Sequence, residues 1–227
     1  MACEPGVAGE AGSDMPPARP PKYDVHPGVE NVRSWIAALP EKTGRSLDGW
    51  MAFIGKSGQR DEKAARAWLK AEHELGANTA WWLCQRAFAK DLSLMDDDPE
   101  RYLALAPRYV AGQYAGKKAH LLPIYTALCV LARKVGRDVK ICPCKTMVPF
   151  YRGHVFATVT AATNSRVDLG LCLTALMKLG QRVPERLVDT GGFKKKDRIT
   201  HRIALASTAA IDEFVGKWLA KAYELDG

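Results

Sequence analysis

The chain has 227 residues, 47% hydrophobic and 26% charged, which is globular composition and excludes wholesale disorder. No run reaches the ~18 apolar residues of a membrane-spanning helix, so no membrane partner is expected. The net charge is +8, and residues 131–227 alone hold 17 basic and 9 acidic groups, a field that favours an anionic partner such as nucleic acid.

Residues 1–28 contain six prolines and four glycines without a periodic apolar pattern, so they read as a disordered tail, with Met15 as an alternative start. From Val29 the period is helical. Val29, Val32, Ile36 and Leu39 share a face that Pro40 closes. Ser46 has the chemistry of an N-cap ahead of Leu47, Trp50, Met51 and Ile54. Ala64, Trp68, Ala71 and Leu75 define a third helix ended by Gly76. Asn78 opens a fourth, with Trp81, Cys84 and Phe88 inward. Four of the six tryptophans fall within residues 50–82, which implies a compact aromatic core. Asp96-Asp97-Asp98-Pro99-Glu100 starts a short helix that breaks near Pro107. A longer helix carries Leu121, Tyr125, Leu128, Ala132 and Val135 and stops at Gly136.

Beyond Gly136 the period becomes two. Residues 138–144, 146–151, 154–160 and 166–171 read as strands, with a hairpin at Arg152-Gly153. Residues 174–179 read as a helix, 186–189 and 200–206 as strands, and 208–225 as the last helix. Gly191 to Arg198 is expected to be a mobile basic loop. The fold class is therefore α+β: a helical domain over residues 29–92, then an α+β domain over 93–227 with an antiparallel sheet flanked by helices.

Strand parity sorts the candidate site residues. Val167, Leu169 and Leu171 share one face of their strand, while Arg166 and Asp168 share the other. In the strand near residue 200, Thr200 and Arg202 oppose His201, Ile203 and Leu205. Arg166, Asp168, Thr200 and Arg202 are thus expected on one polar surface, either as an anion-binding patch or as a register-fixing ion pair. Arg152 and the lysines Lys194, Lys195 and Lys196 complete the expected ligand-binding set. Two rivals remain. Cys142, Cys144 and His154 offer soft ligands for a metal or redox role. Asp168 and His201 offer a small catalytic pair, although parity places them on opposite faces. His73 and His120 read as solvated. No phosphate-binding glycine loop, nucleophile elbow or H-E-x-x-H is present, and no cofactor is expected. The chain opens without a basic and apolar leader, so a cytoplasmic location with reduced cysteines is expected.

Lys42-Thr43-Gly44-Arg45-Ser46-Leu47-Asp48-Gly49-Trp50 and Trp68-Leu69-Lys70-Ala71-Glu72-His73-Glu74-Leu75-Gly76 resemble the paired motifs of a small bacterial helical domain of unknown function. Val148 to Phe156, Arg166 to Leu171 and Thr200-His201-Arg202 resemble a second such domain that follows the first. The resemblance covers residues 40–225 and implies a two-domain family of unknown function, loosely similar in layout to frataxin-like α+β proteins. It implies no reaction. The expectation drawn from the residues is a binding module for an anionic partner, with nucleic acid the foremost candidate.

Overall fold

A computed structural model describes residues 21–88 and 97–226 of the protein. Residues 1–20, including Cys3 and Met15, lie outside the described residues. So do residues 89–96, including Asp96 and the domain boundary expected at residue 92.

The N-terminal helices are α1 (Pro27–Thr43), α2 (Leu47–Lys56), α3 (Glu62–Glu72) and α4 (Ala77–Phe88). Short polar side chains start two of them. The Ser46 hydroxyl accepts from the Gly49 N–H, and the Asp61 carboxylate accepts from the Ala64 N–H. Asn78 lies inside α4 rather than capping it. The α1 helix runs past Pro40, whose ring sits on the exposed side of the last turn, and Gly44 closes it in the left-handed region at φ 73°. Leu39, Trp50, Ile54, Ala65, Leu69 and Leu83 form the buried centre of this bundle.

The α5 helix (Pro99–Gln113) begins where Asp98 accepts from the Glu100 and Arg101 N–H groups. It continues through Pro107 instead of breaking there. Pro107 is exposed, so water can satisfy the carbonyl that its missing N–H leaves free. A 3-10 turn (Gly116–Leu121) leads into α6 (Leu122–Val135).

Six strands then form one antiparallel sheet: β1 (Lys140–Ile141), β2 (Val148–Tyr151), β3 (Val155–Thr163), β4 (Arg166–Leu171), β5 (Val188–Asp189) and β6 (His201–Leu205), in the order β1-β2-β3-β4-β6-β5. The strand expected over 138–144 is only two residues long, although beyond it the Cys142 and Cys144 N–H groups still donate to the Pro149 and Met147 carbonyls. The α7 helix (Thr174–Lys178) and α8 (Gly192–Lys195) lie between strands, and α9 (Glu213–Glu224) follows β6. Asp212 caps α9 by accepting from the Val215 N–H.

Val167, Leu169, Leu171, Ile203 and Leu205 face a second core with Tyr125, Leu128, Val215 and Leu219 from α6 and α9. A third, small core joins the two parts, where Val29 of α1 meets Tyr102 and Ala106 of α5. Residues 22–26, expected to be tail, are docked on the body. The Asp24 N–H donates to the Ile141 carbonyl, and its carboxylate accepts from the Ile141 N–H and from Arg133. Tyr23 packs into the second core, with its hydroxyl 3.3 Å from that of Tyr125. The composition of this stretch is tail-like, but its partners lie more than a hundred residues away and leave no local pattern.

Candidate functional site

The sheet face away from α6 and α9 carries the polar residues that parity places there. Register aligns Pro149, Thr158, Gly170 and Arg202 in one row across β2, β3, β4 and β6. Thr160, Asp168 and Ala204 form the next row. Asp168 accepts from Arg166 Nε at 2.8 Å and from Arg202 Nη1 at 3.4 Å. Its side chain is 15% exposed, against 37% and 28% for the two arginines. One carboxylate thus orients two partly exposed guanidiniums, Arg166 through both Nε and Nη2.

Thr200 does not join them. It is fully buried, its hydroxyl accepts from the Leu173 N–H, and the same oxygen lies 3.0 Å from His201 Nδ1. It precedes β6, so strand parity does not govern its side chain. His201 is buried on the apolar face as its parity requires, and desolvation lowers its pKa. Asp168 and His201 therefore lie on opposite faces of the sheet, which removes the proposed catalytic pair.

Arg152 lies elsewhere, at the β2–β3 hairpin. It bonds Asp138 and the Tyr223 carbonyl and stacks over the Tyr223 ring at 4.5 Å.

The soft-ligand group is not assembled either. Burial pushes the Cys142 thiol up to about 12 and the Cys144 thiol up to about 11, which keeps both protonated. His154 is turned to Asp226, with its Nδ1 3.6 Å from that carboxylate. Among the described residues no group of three or more His, Cys, Asp or Glu side chains could hold a metal ion.

Lys194, Lys195 and Lys196 are exposed, but the segment carrying them is folded rather than loose. Gly191, at φ 71°, precedes α8, and Lys196 ends it in the left-handed region at φ 61°. The Thr190 hydroxyl donates toward the Ile199 and Thr200 carbonyls and accepts from the Gly192 N–H. Ile199 then lies over Gly170, where a Cβ would come within 2.7 Å of its Cγ2. The segment thus folds back onto the polar sheet face at Gly170, and its lysines stand on its exposed side.

Two clefts border this segment, and another lies beyond α7. The first, about 440 Å³, is lined by Thr174, Lys178, Phe193, Lys196 and Arg198. The second, about 420 Å³, lies on the other side of α7 and is lined by Arg182, Lys217, Trp218, Lys221 and Glu224. The third, about 530 Å³, opens on the sheet face against Met147, Pro149, Tyr151, Thr158 and Ile199. Asp197 and Arg198 line both the first and the third.

Arg198 is a cleft-lining arginine that the expected ligand-binding set does not contain. Its Nε donates to the Val155 carbonyl at 3.0 Å and its Nη2 to Asp226 at 2.6 Å. The Asp226 side chain is 2% exposed and also accepts from the His154 N–H at 2.7 Å. Nothing near Arg198 in sequence signals a carboxylate 28 residues away.

In the helical bundle the two sequence motifs meet. The Arg45 guanidinium lies 4.2 Å from the centre of the Phe53 ring, which stacks on Trp68 at 5.3 Å. His73, expected to be solvated, is edge-on to Trp50, Phe53 and Trp68. Thr43 accepts from Trp50 Nε1 at 2.8 Å, so the first motif ties its own helix start to the preceding helix end. These contacts are packing devices.

No curated protein and no solved structure matches the chain. Residues 31–87 match a domain of unknown function (DUF4287), which is the bundle without the docked segment before it. Residues 110–226 match a second domain of unknown function (DUF5655), which takes in the end of α5, the whole sheet and α9. The second match spans over half of the chain, so the protein belongs to the DUF5655 family, with a DUF4287 domain ahead of it.

Proposed function

We propose that the protein is a binding module for an anionic polymer, single-stranded nucleic acid, which lies across α7. The observation that carries this reading is the make-up of the two clefts beside that helix. Each combines one aromatic residue with cations that outnumber a single carboxylate: Phe193 with Lys178, Lys196 and Arg198 against Asp197 on one side, Trp218 with Arg182, Lys217 and Lys221 against Glu224 on the other. A cationic groove with intermittent rings suits a chain of phosphates and unstacked bases.

Charge pairing supports the same place. Arg133, Arg152, Arg166, Arg186, Arg198 and Arg202 each face a carboxylate. Among the described residues Lys178, Arg182, Lys194, Lys195, Lys196 and Lys217 form no ion pair. The unspent positive charge of the C-terminal part is therefore largely lysine, and lysines make point-charge contacts to phosphates. The Arg166–Asp168–Arg202 group is left as a sheet-register device with spare donors.

Anisotropy of a labelled single-stranded oligonucleotide tests the reading. Binding is expected at about 50 mM salt, and log K should fall with log salt at a slope of about −0.7 per phosphate contact. Replacing Lys178 and Lys196 by alanine should make that slope shallower by about 1.4 if each holds one phosphate. Phe193→Ala should weaken binding by about 1 kcal/mol or more. Phe193 is 41% exposed, so this variant should fold. No binding at about 50 mM salt, where phosphate contacts are favoured, would remove the reading.

A further inference from the structure

The third cleft has a different chemistry from the two beside α7. Its walls are apolar at Met147, Pro149, Val155 and Ile199, Tyr151 adds an aromatic ring, and His26, Cys144 and Thr190 add polar edges. Thr158 lies on its floor, with its hydroxyl next to Gly170. A pocket of apolar walls with a few placed polar groups takes a small, flat, largely apolar group with a hydrogen-bonding edge.

The cleft shares Asp197 and Arg198 with the lysine cleft, where Lys178 and Lys196 stand with the Thr174 hydroxyl, so cations outnumber the one carboxylate at the boundary. Arg198 is fixed by two partners, the Val155 carbonyl and the almost fully buried Asp226. Those bonds engage Nε and Nη2 and leave Nη1 without a hydrogen-bond partner among the described residues. A guanidinium held this way pays little ordering entropy when it takes an anion.

We infer that the third cleft and Arg198 together form a nucleotide site. The base occupies the cleft over Thr158, and its phosphate lies on Arg198 at the boundary with the lysine cleft. Asp226 acts as a positioning residue, holding the guanidinium without touching the ligand. The choice of a nucleotide rests on the strand-binding reading, since the site then serves as the point where one base of the bound strand is set aside from its neighbours.

Calorimetric titration with adenosine 5′-monophosphate, adenosine and inorganic phosphate tests this on the full chain. The monophosphate should bind at least about tenfold more tightly than either fragment, because it alone spans both halves of the site. Met147→Trp fills the cleft from its exposed rim and should abolish the advantage of the monophosphate over inorganic phosphate. Arg198→Lys should weaken the monophosphate and inorganic phosphate alike, by about tenfold, because the fork is lost while the charge remains. Asp226→Asn should weaken both ligands to a smaller extent. Arg198 also ties the fold, so the Met147 variant, at an exposed position, keeps the test decisive if Arg198→Lys melts early.

The inference is overturned if the monophosphate binds no better than inorganic phosphate, or if Met147→Trp leaves its affinity unchanged. Monophosphate binding that disappears in Met147→Trp, with no oligonucleotide binding at low salt, would support the nucleotide site while ending the strand reading. Oligonucleotide binding that is indifferent to Met147→Trp and Arg198→Lys would do the reverse.

Discussion

Asp168 serves two arginines, so the three members of that group are not equivalent. Removing either arginine leaves the carboxylate with the other, whereas Asp168→Ala leaves two guanidiniums facing each other across β4 and β6. Asp168→Ala should lower stability by about 1–2 kcal/mol, more than Arg166→Ala, since the carboxylate is the most shielded member. Urea midpoints of the two variants check the order. Gly170 is a second sensitive position. A methyl group there would come within 2.5 Å of Thr158 Oγ1 and 2.7 Å of Ile199 Cγ2. Gly170→Ala should therefore cost about 1–3 kcal/mol through overpacking, and should disturb residues 190–199 first. Hydrogen exchange of that segment reads the effect.

Half-buried His26 and buried His201 fix a pH dependence. Desolvation holds both His26 and His201 below the ordinary 6.5. Each is neutral in the fold and binds a proton more readily when unfolded, so stability is complete above pH 6.5 and declines as pH falls below it. His26 has a structural reason to stay neutral. Its Nδ1 accepts from the Gly28 N–H at the start of α1, and its Nε2 lies 3.0 Å from the Tyr151 hydroxyl. A proton on Nδ1 would oppose that cap. His26→Asn, which keeps an acceptor at the cap, should flatten the stability profile between pH 5.5 and 6.5, as followed by thermal melts. An unchanged profile would place the acid sensitivity at His201 alone.

At the scale of elements, the residues 22–26 segment is the clearest departure from local expectation. It hydrogen-bonds to the edge of β1 and is gripped by Arg133, which reaches the Lys22 and Val139 carbonyls as well as Asp24. Deleting residues 1–26 should lower the melting temperature by several degrees relative to deleting residues 1–20, at about 2–4 °C per kcal/mol for a chain of this size. Equal melting temperatures would show that the segment contributes nothing. The strand readings divide in the same way. Residues 166–171 alternate cleanly because one face is buried, and β4 has those very bounds. The stretch 138–144 has similar alternation, yet the regular strand is only Lys140–Ile141: Cys142 and Cys144 still donate to the Pro149 and Met147 carbonyls, but Pro143 between them lacks a donor and its carbonyl accepts from the Tyr102 hydroxyl. Parity could place Arg166, Asp168 and Arg202 together because adjacent strands share a face. It could not find Arg198, Asp226 or the clefts around α7, since those depend on how a loop, a short helix and the end of α9 fold back on each other.

For the whole molecule, the family boundaries cut through packed structure. The DUF5655 match begins at residue 110, inside α5, and omits Tyr23, Val29, Tyr102 and Ala106. Tyr102 is buried with its hydroxyl bonded to the Pro143 carbonyl, and Val29 joins α1 to α5. A fragment of residues 110–227 should therefore be less stable than one of residues 21–227 and should bind more of a hydrophobic dye; equal stability would show that the small third core is incidental. The bundle core and the sheet core are otherwise separate, so their melting need not be one transition.

The docked segment also settles what the sheet can do as a template. β-Sheets grow into fibres by adding strands at both margins. Here one margin, at β1, is occupied by Asp24, while the other, at β5, is two exposed residues ending in an aspartate. A copy that paired through β5 would present only its own plugged margin, so strand addition stops at two chains. Losing residues 22–26 opens the second margin and turns a self-terminating contact into a propagating one, which makes proteolytic clipping at this segment the event that would seed polymerisation.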